Sequence, residues 1–246
     1  MHFLSEHRLD DDVLEREFTL GDIPGIFWTP GSTPAPLILL GHPGGLPAMY
    51  PRLAARARAC AAQGFAAATI ELPGSGDRPR SPTADQARAD LRHAIKAGVP
   101  VDDEIIERLV RPLVDQSVPE WQSALDALLS LPDIEGPVGL SGGIIAIAIR
   151  LARLDPRITA AVLFAGSYVP RAMFEEARQL TIPLQVLLQW DDEGNDRQLA
   201  LDLFDTFASP EKTLLANMGG HTGVPAHAGE YANHFFTRHL SPSAPR

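Results

Sequence analysis

The sequence predicts an α/β protein built on a mostly parallel central sheet with helices on both faces. Three observations carry this. Strand-like and helix-like segments alternate along the chain. PLILL at Pro36–Leu40 and the run Ala66–Glu71 are nearly unbroken in apolar residues, as strands buried on both faces must be. The chain has 246 residues, 45% of them hydrophobic, which suits one domain with a well-filled core.

The elements follow in order. Glu17–Leu20 and Gly25–Thr29 read as an antiparallel pair across a Gly-Asp turn. Pro36–Leu40 is a buried strand, and Pro51–Gln63 a helix started by Pro51 and stopped by Gly64. Ala66–Glu71 is the next strand. The alternation breaks at residues 78–118, where two helical pieces, Ala84–Lys96 and Asp102–Asp115, flank Gly98-Val99-Pro100. This segment reads as a cap-like helical insertion in a single domain spanning 1–246. Regular alternation then resumes: helix Glu120–Leu131, strand Gly136–Leu140, helix Gly143–Leu154, strand Ala160–Phe164 and helix Arg171–Leu180. Strand Leu184–Gln189, helix Asp196–Phe207, strand Lys212–Ala216 and helix Ala226–Leu240 complete the chain, and the tail SPSAPR is expected to fray.

Composition excludes several classes. With 21 Lys+Arg against 31 Asp+Glu, a formal charge of −10 disfavours nucleic acid as a partner. Cys60 is the one cysteine, so no intrachain disulfide forms; a reducing compartment fits. The start, MHFLSEHRLDDD, is too acidic for a secretory signal, and the apolar stretch Pro137–Ile149 is too short to span a bilayer. A cytoplasmic protein without membrane partners is expected; oligomeric state is not legible.

The chemistry concentrates in Gly139-Leu140-Ser141-Gly142-Gly143, a G-x-S-x-G motif between an apolar strand and the apolar helix IIAIAIRLA. A sharp strand-to-helix turn there displays a serine hydroxyl at the sheet edge, with the serine backbone strained and small neighbours on either side. The helix start supplies N–H groups for a developing oxyanion. A serine needs a base. His221 lies in the glycine-rich loop Met218–Pro225 after the last strand; the other histidines fall near the N-terminus, in the insertion, in the loop at His42, or on the last helix. A zinc site of His221 with His227 lacks a cysteine or a helix-phased H-E-x-x-H partner set. The base needs a carboxylate, and the strand ending at Gln189 leads into Trp190-Asp191-Asp192-Glu193. Asp192 is the preferred acid, Asp191 its rival, and Asp196 is set to cap the next helix. In the loop Gly41-His42-Pro43-Gly44-Gly45, Pro43 has no N–H to donate. Gly44 and Gly142 are therefore the candidate oxyanion donors.

These segments, GHPGG, ELPGSGDR at Glu71–Arg78, GLSGG, LLQWDDE and GGHTGVP, together resemble the α/β-hydrolase superfamily, in particular its bacterial dienelactone-hydrolase-like and esterase-like branch. The resemblance runs from about residue 20 to residue 240. It implies the α/β-hydrolase fold, a Ser141–His221–Asp192 triad, a small-molecule acyl substrate, and no metal or organic cofactor. The sequence departs from the pattern at Pro43, at Gly142 and at Glu193–Asp196, where the family carries a glycine, a larger residue and a Val-Pro-like segment. Dienelactone hydrolases proper use a cysteine nucleophile, and Cys60 sits mid-helix, so that activity is not implied. Haloalkane dehalogenation needs an aspartate where Ser141 stands. Cofactor-free lyases, perhydrolases, C–C hydrolases and non-catalytic binding proteins share the scaffold. Trp121, Phe164, Tyr168, Met173 and Phe174 are candidates either for an acyl pocket or for ordinary packing.

Overall fold

The computed structural model describes residues 1–241; the expectation of a frayed tail falls at 242–246, outside the described residues. Nine strands form one sheet: β1 (His2–Arg8), β2 (Leu14–Leu20), β3 (Ile23–Thr29), β4 (Ala35–Gly41), β5 (Ala66–Ile70), β6 (Ile134–Gly142), β7 (Ile158–Phe164), β8 (Leu184–Gln189) and β9 (Lys212–Asn217). The helices are α1 (Leu46–Ala61), α2 (Pro82–Ala97), α3 (Asp103–Leu129), α4 (Ile145–Leu154), α5 (Ala172–Ala177), α6 (Arg197–Thr206) and α7 (His227–Leu240). In space the strands run β1-β2-β3-β5-β4-β6-β7-β8-β9. Pairing is antiparallel from β1 to β5 and parallel from β5 to β9.

Each strand face has its own core. Ile38, Leu40, Ala67, Ala160 and Val162 pack with Leu53, Ala57 and Cys60 of α1 and with Phe236 and Leu240 of α7. On the opposite face Leu37, Leu39, Leu140, Ala161 and Leu163 pack with residues of α3, α4, α5 and α6. Both faces of the central strands are apolar for this reason, and this is why their sequences read as continuous rather than alternating runs. Among the described residues no helix is long and apolar enough to cross a membrane.

The order places a topological switch point between β4 and β6. The chain leaves β4 through α1 to β5 on one side, then returns through α2 and α3 to β6 on the other. Neighbouring crossovers that diverge leave a crevice at the carboxyl ends of the strands, where ligands of open parallel sheets bind. The loop Gly41–Gly45 and the turn at Ser141–Gly143 meet at this point.

Three elements differ from the sequence expectation. First, β1 was not anticipated. It is an edge strand with mostly exposed side chains, so it carries almost no apolar pattern and owes its existence to the open edge of β2. Second, α1 starts at Leu46, with Pro47 in its first turn and Pro51 inside it. The N–H of Leu46 donates to Glu71 Oε2 at 2.9 Å, a cap supplied from another loop that the helix's own sequence does not contain. Third, the expected helices 102–115 and 120–131 are one helix. Pro112 and Pro119 lie inside α3. Each forfeits a backbone hydrogen bond, at a cost of about 3 kcal/mol. Against that, Ile106, Val110, Val114, Val118, Trp121, Leu125 and Leu128 form one buried stripe. Burying side chains of this size contributes roughly 1.5–3 kcal/mol each, enough to carry the helix through both prolines.

Candidate active site

The structure places the turn after β6 at the switch point, but its backbone differs from the expected one. Ser141 is still in the strand, paired with Leu40 and Val162, and does not carry positive φ. The left-handed residues are Gly142 (φ +70°) and Gly143 (φ +83°). The expectation of a strained serine is therefore corrected: two consecutive glycines make the turn, and the strain a serine would bear falls on residues without a Cβ. The same glycines are needed for contact with β4. A Cβ on Gly143 would lie 2.8 Å from Gly41 Cα, and one on Gly41 would lie 2.6 Å from the Gly142 carbonyl oxygen. The two loops proposed to form an oxyanion hole thus touch backbone to backbone.

Ser141 is 8% exposed. Its Oγ accepts a hydrogen bond from Arg56 Nη2 at 3.0 Å. Among the described residues no hydrogen bond joins Ser141 to His221.

His221 and Asp192 are brought together. His221 Nδ1 and Asp192 Oδ2 are 2.8 Å apart, and Asp192 Oδ1 accepts from the Gly194 N–H at 2.9 Å. The Asp192 side chain is 3% exposed and that of His221 43%. With a carboxylate on Nδ1, that nitrogen is the donor and Nε2 is left with the free lone pair. Asp191, the rival, is exposed, and its backbone N–H is spent on the Gly219 carbonyl. Phe164 packs edge-on against the imidazole, ring centroids 5.5 Å apart. Gln189 Nε2 donates to the Gly220 carbonyl at 3.1 Å, tying the histidine loop to the end of β8.

The remaining sequence candidates are placed as follows. Gly44 lies in the loop between β4 and α1 with room for a Cβ, so no steric demand makes it a glycine. His42 is buried; its Nε2 donates to the Ile70 carbonyl at 2.9 Å, and burial holds its pKa below the usual histidine range. Its bond to Ile70 ties the loop to the end of β5. Asp196 caps α6, accepting from the Leu199 N–H at 3.0 Å. Cys60 is buried in α1, its thiol pushed up to about 11 by burial, which leaves it inert. His227 packs on Tyr231, and no group of three or more His, Cys, Asp or Glu among the described residues is arranged to hold a metal ion.

Of the apolar candidates, Met173 is core and Tyr168 and Phe174 pack partly against it. Trp121 lines a cavity of about 20 Å³ with His42, Gly142 and Gly143, room for about one water. Sequence reasoning missed Arg56. Its signal was phase: it lies three residues after Leu53 and four before Cys60, on the buried stripe of α1.

No family model and no curated protein matches the chain at the level of sequence. Solved structures match it in fold. The chain is similar to a cold-adapted esterase from an Arctic intertidal metagenomic library, with a TM-score of 0.78 and 25% identity, covering 98% of this chain and 100% of that one. It also resembles an esterase of Pyrococcus furiosus (TM-score 0.65, 11% identity, 97% and 93% covered). A third similar structure is acetyl xylan esterase 1 of a Thermoanaerobacterium species (TM-score 0.62, 13% identity, 96% and 87% covered). With its mostly parallel sheet, diverging crossovers and helices on both faces, the chain has the α/β-hydrolase fold.

Proposed function

We propose that the protein is a serine hydrolase that cleaves an ester or related acyl bond of a small molecule. The observation that carries this reading is the buried Asp192 carboxylate at 2.8 Å from Nδ1 of a half-exposed His221, on the sheet edge where Ser141 emerges. A histidine so held is an oriented base rather than a surface ion pair. The esterases similar in structure support the same class of reaction.

In this mechanism Ser141 Oγ attacks the acyl carbonyl while its proton passes to His221 Nε2. Asp192 stabilises the imidazolium. The tetrahedral oxyanion is held by backbone N–H groups, with Gly44 and Gly142 as donors. His221 then returns the proton to the leaving alcohol as the C–O bond breaks. Water repeats the cycle on the acyl-enzyme, releasing the acid and restoring Ser141. Ser141 keeps its place in the strand, and His221, carried on its half-exposed loop, closes on it; catalytic hydrogen bonds commonly tighten only when substrate is bound.

Within residues 78–118, α2 and the first turn of α3 are the part available to cap this site, since Ile106, Val110, Val114 and Val118 of α3 pack in the core. Asp103 at the start of α3 pairs with Arg171 in the segment after β7, so the cap and the loop Gly166–Met173 together shape the entrance. The test is turnover of short-chain aryl esters. Ser141→Ala is expected to lose on the order of 10⁴-fold or more in kcat with little change in thermal stability. Full activity in that variant would refute the assignment.

A further inference from the structure

Arg56 is the unexplained charge at the site. Its Nη1 donates to the Gly41 carbonyl at 2.9 Å, and its Nη2 donates to the Ser141 carbonyl at 2.6 Å and to Ser141 Oγ at 3.0 Å. Among the described residues it makes no ion pair. Of the other partly buried arginines, those at 78, 150, 153 and 157 are paired with carboxylates, whereas Arg58 on the same helix, among the described residues, is not. Taking an unpaired cation out of water is costly, and here only neutral oxygens receive its donors. A merely structural cross-link between β4 and β6 would not need a net charge.

We infer that Arg56 is a catalytic residue of the proposed reaction, holding Ser141 Oγ and stabilising negative charge on it as its proton leaves. This rests on the reading of Ser141 as nucleophile. A guanidinium can only donate, so Oγ accepts from it and keeps its own O–H free for His221. In the ground state the bond is from a cation to a neutral hydroxyl. As the proton moves to His221 Nε2, the acceptor becomes anionic and the same bond strengthens; Arg56 keeps all its protons throughout. An interaction that grows toward the transition state raises kcat rather than tightening substrate binding. Burial lowers the Arg56 pKa to about 10, so the group remains charged at neutral pH. The glycine at 142 fits the same account, since a Cβ there would lie 3.0 Å from Nη2 and press on the guanidinium.

The experiment compares Arg56→Met and Arg56→Lys with the unaltered enzyme, measuring kcat and KM for an aryl ester, the rate of Ser141 phosphonylation by a fluorophosphonate, and the thermal midpoint. The expected result is a loss of about 10²-fold in kcat and in labelling rate for Arg56→Met, with KM changed no more than a few-fold. Arg56→Lys keeps the charge but cannot reach both strands, so it should recover at least about tenfold of that loss. Wild-type kcat and labelling in Arg56→Met would overturn the inference and leave the serine mechanism intact. Equal losses in both variants, tracking a lowered midpoint, would make Arg56 a strand clamp and also overturn it. Absence of label on Ser141 in the unaltered enzyme would remove the mechanism itself, and this inference with it.

Discussion

The two halves of the candidate site are built by different physics. On the nucleophile side, at the ends of β4 and β6, position is set by exclusion: Gly41 and Gly143 pack against backbone with no room for a Cβ, and a Cβ on Gly142 would press on the Arg56 guanidinium. On the base side, at the ends of β8 and β9, position is set by attraction. One buried carboxylate holds one imidazole, and a half-exposed loop carries it. The first half tolerates almost no change of shape and is tied to the global fold. The second tolerates changes of shape but not the loss of a hydrogen bond. Stability and activity should therefore come apart differently in each.

The sharpest separation is expected from Asp192→Asn. The amide matches the carboxylate in shape but no longer fixes the Nδ1–H tautomer or stabilises the imidazolium. Ester turnover should drop by about 10⁴-fold with the unfolding midpoint nearly unchanged. Gly143→Ala should do the reverse in order of cause. A methyl at φ +83° and 2.8 Å from Gly41 Cα forces β4 and β6 apart, at an expected cost of about 2–5 kcal/mol in denaturant unfolding, with activity lost as a consequence.

A third substitution, remote from both halves, calibrates the comparison. Asp155 at the end of α4 is 2% exposed and accepts from Arg157 Nε at 2.8 Å and Nη2 at 2.6 Å. The Arg157 hydrogen bonds hold its carboxyl below the usual range. A folded-state pKa below the unfolded value of about 3.9 means the stabilisation is complete above about pH 4 and disappears as pH falls through the folded value. Asp155→Asn should cost about 1–3 kcal/mol at pH 7, with the difference from the unaltered protein shrinking below about pH 4. Its kcat should not move. The smallest effect is expected from Asp191→Asn, where the side chain is exposed: kcat/KM should remain within a few-fold, and a loss comparable with that of Asp192→Asn would exchange the two acids' roles.

The same division explains what the sequence disclosed. The strand–turn–helix around GLSGG was legible because both flanks are apolar runs of the right period, and the glycine loops because glycine marks close approach. The choice between Asp191 and Asp192 was not. Both follow the same strand, and only the turn that spends Asp192 Oδ1 on the Gly194 N–H decides which one faces inward. Arg56 stands among Arg52 and Arg58 on one helix, and its distinction depends on how α1 is phased over the sheet edge. The merged α3 was hidden because proline is a strong local signal, and the burial that outweighs it is spread over seven side chains along the helix.

The most direct test of the account is labelling with a fluorophosphonate followed by mass spectrometry of the modified peptide. An adduct on Ser141 that disappears in His221→Ala is the predicted result, because only an oriented base makes that hydroxyl reactive. A folded protein that takes no label, or takes it elsewhere, would contradict the account and leave the His221–Asp192 pair without a nucleophile to serve.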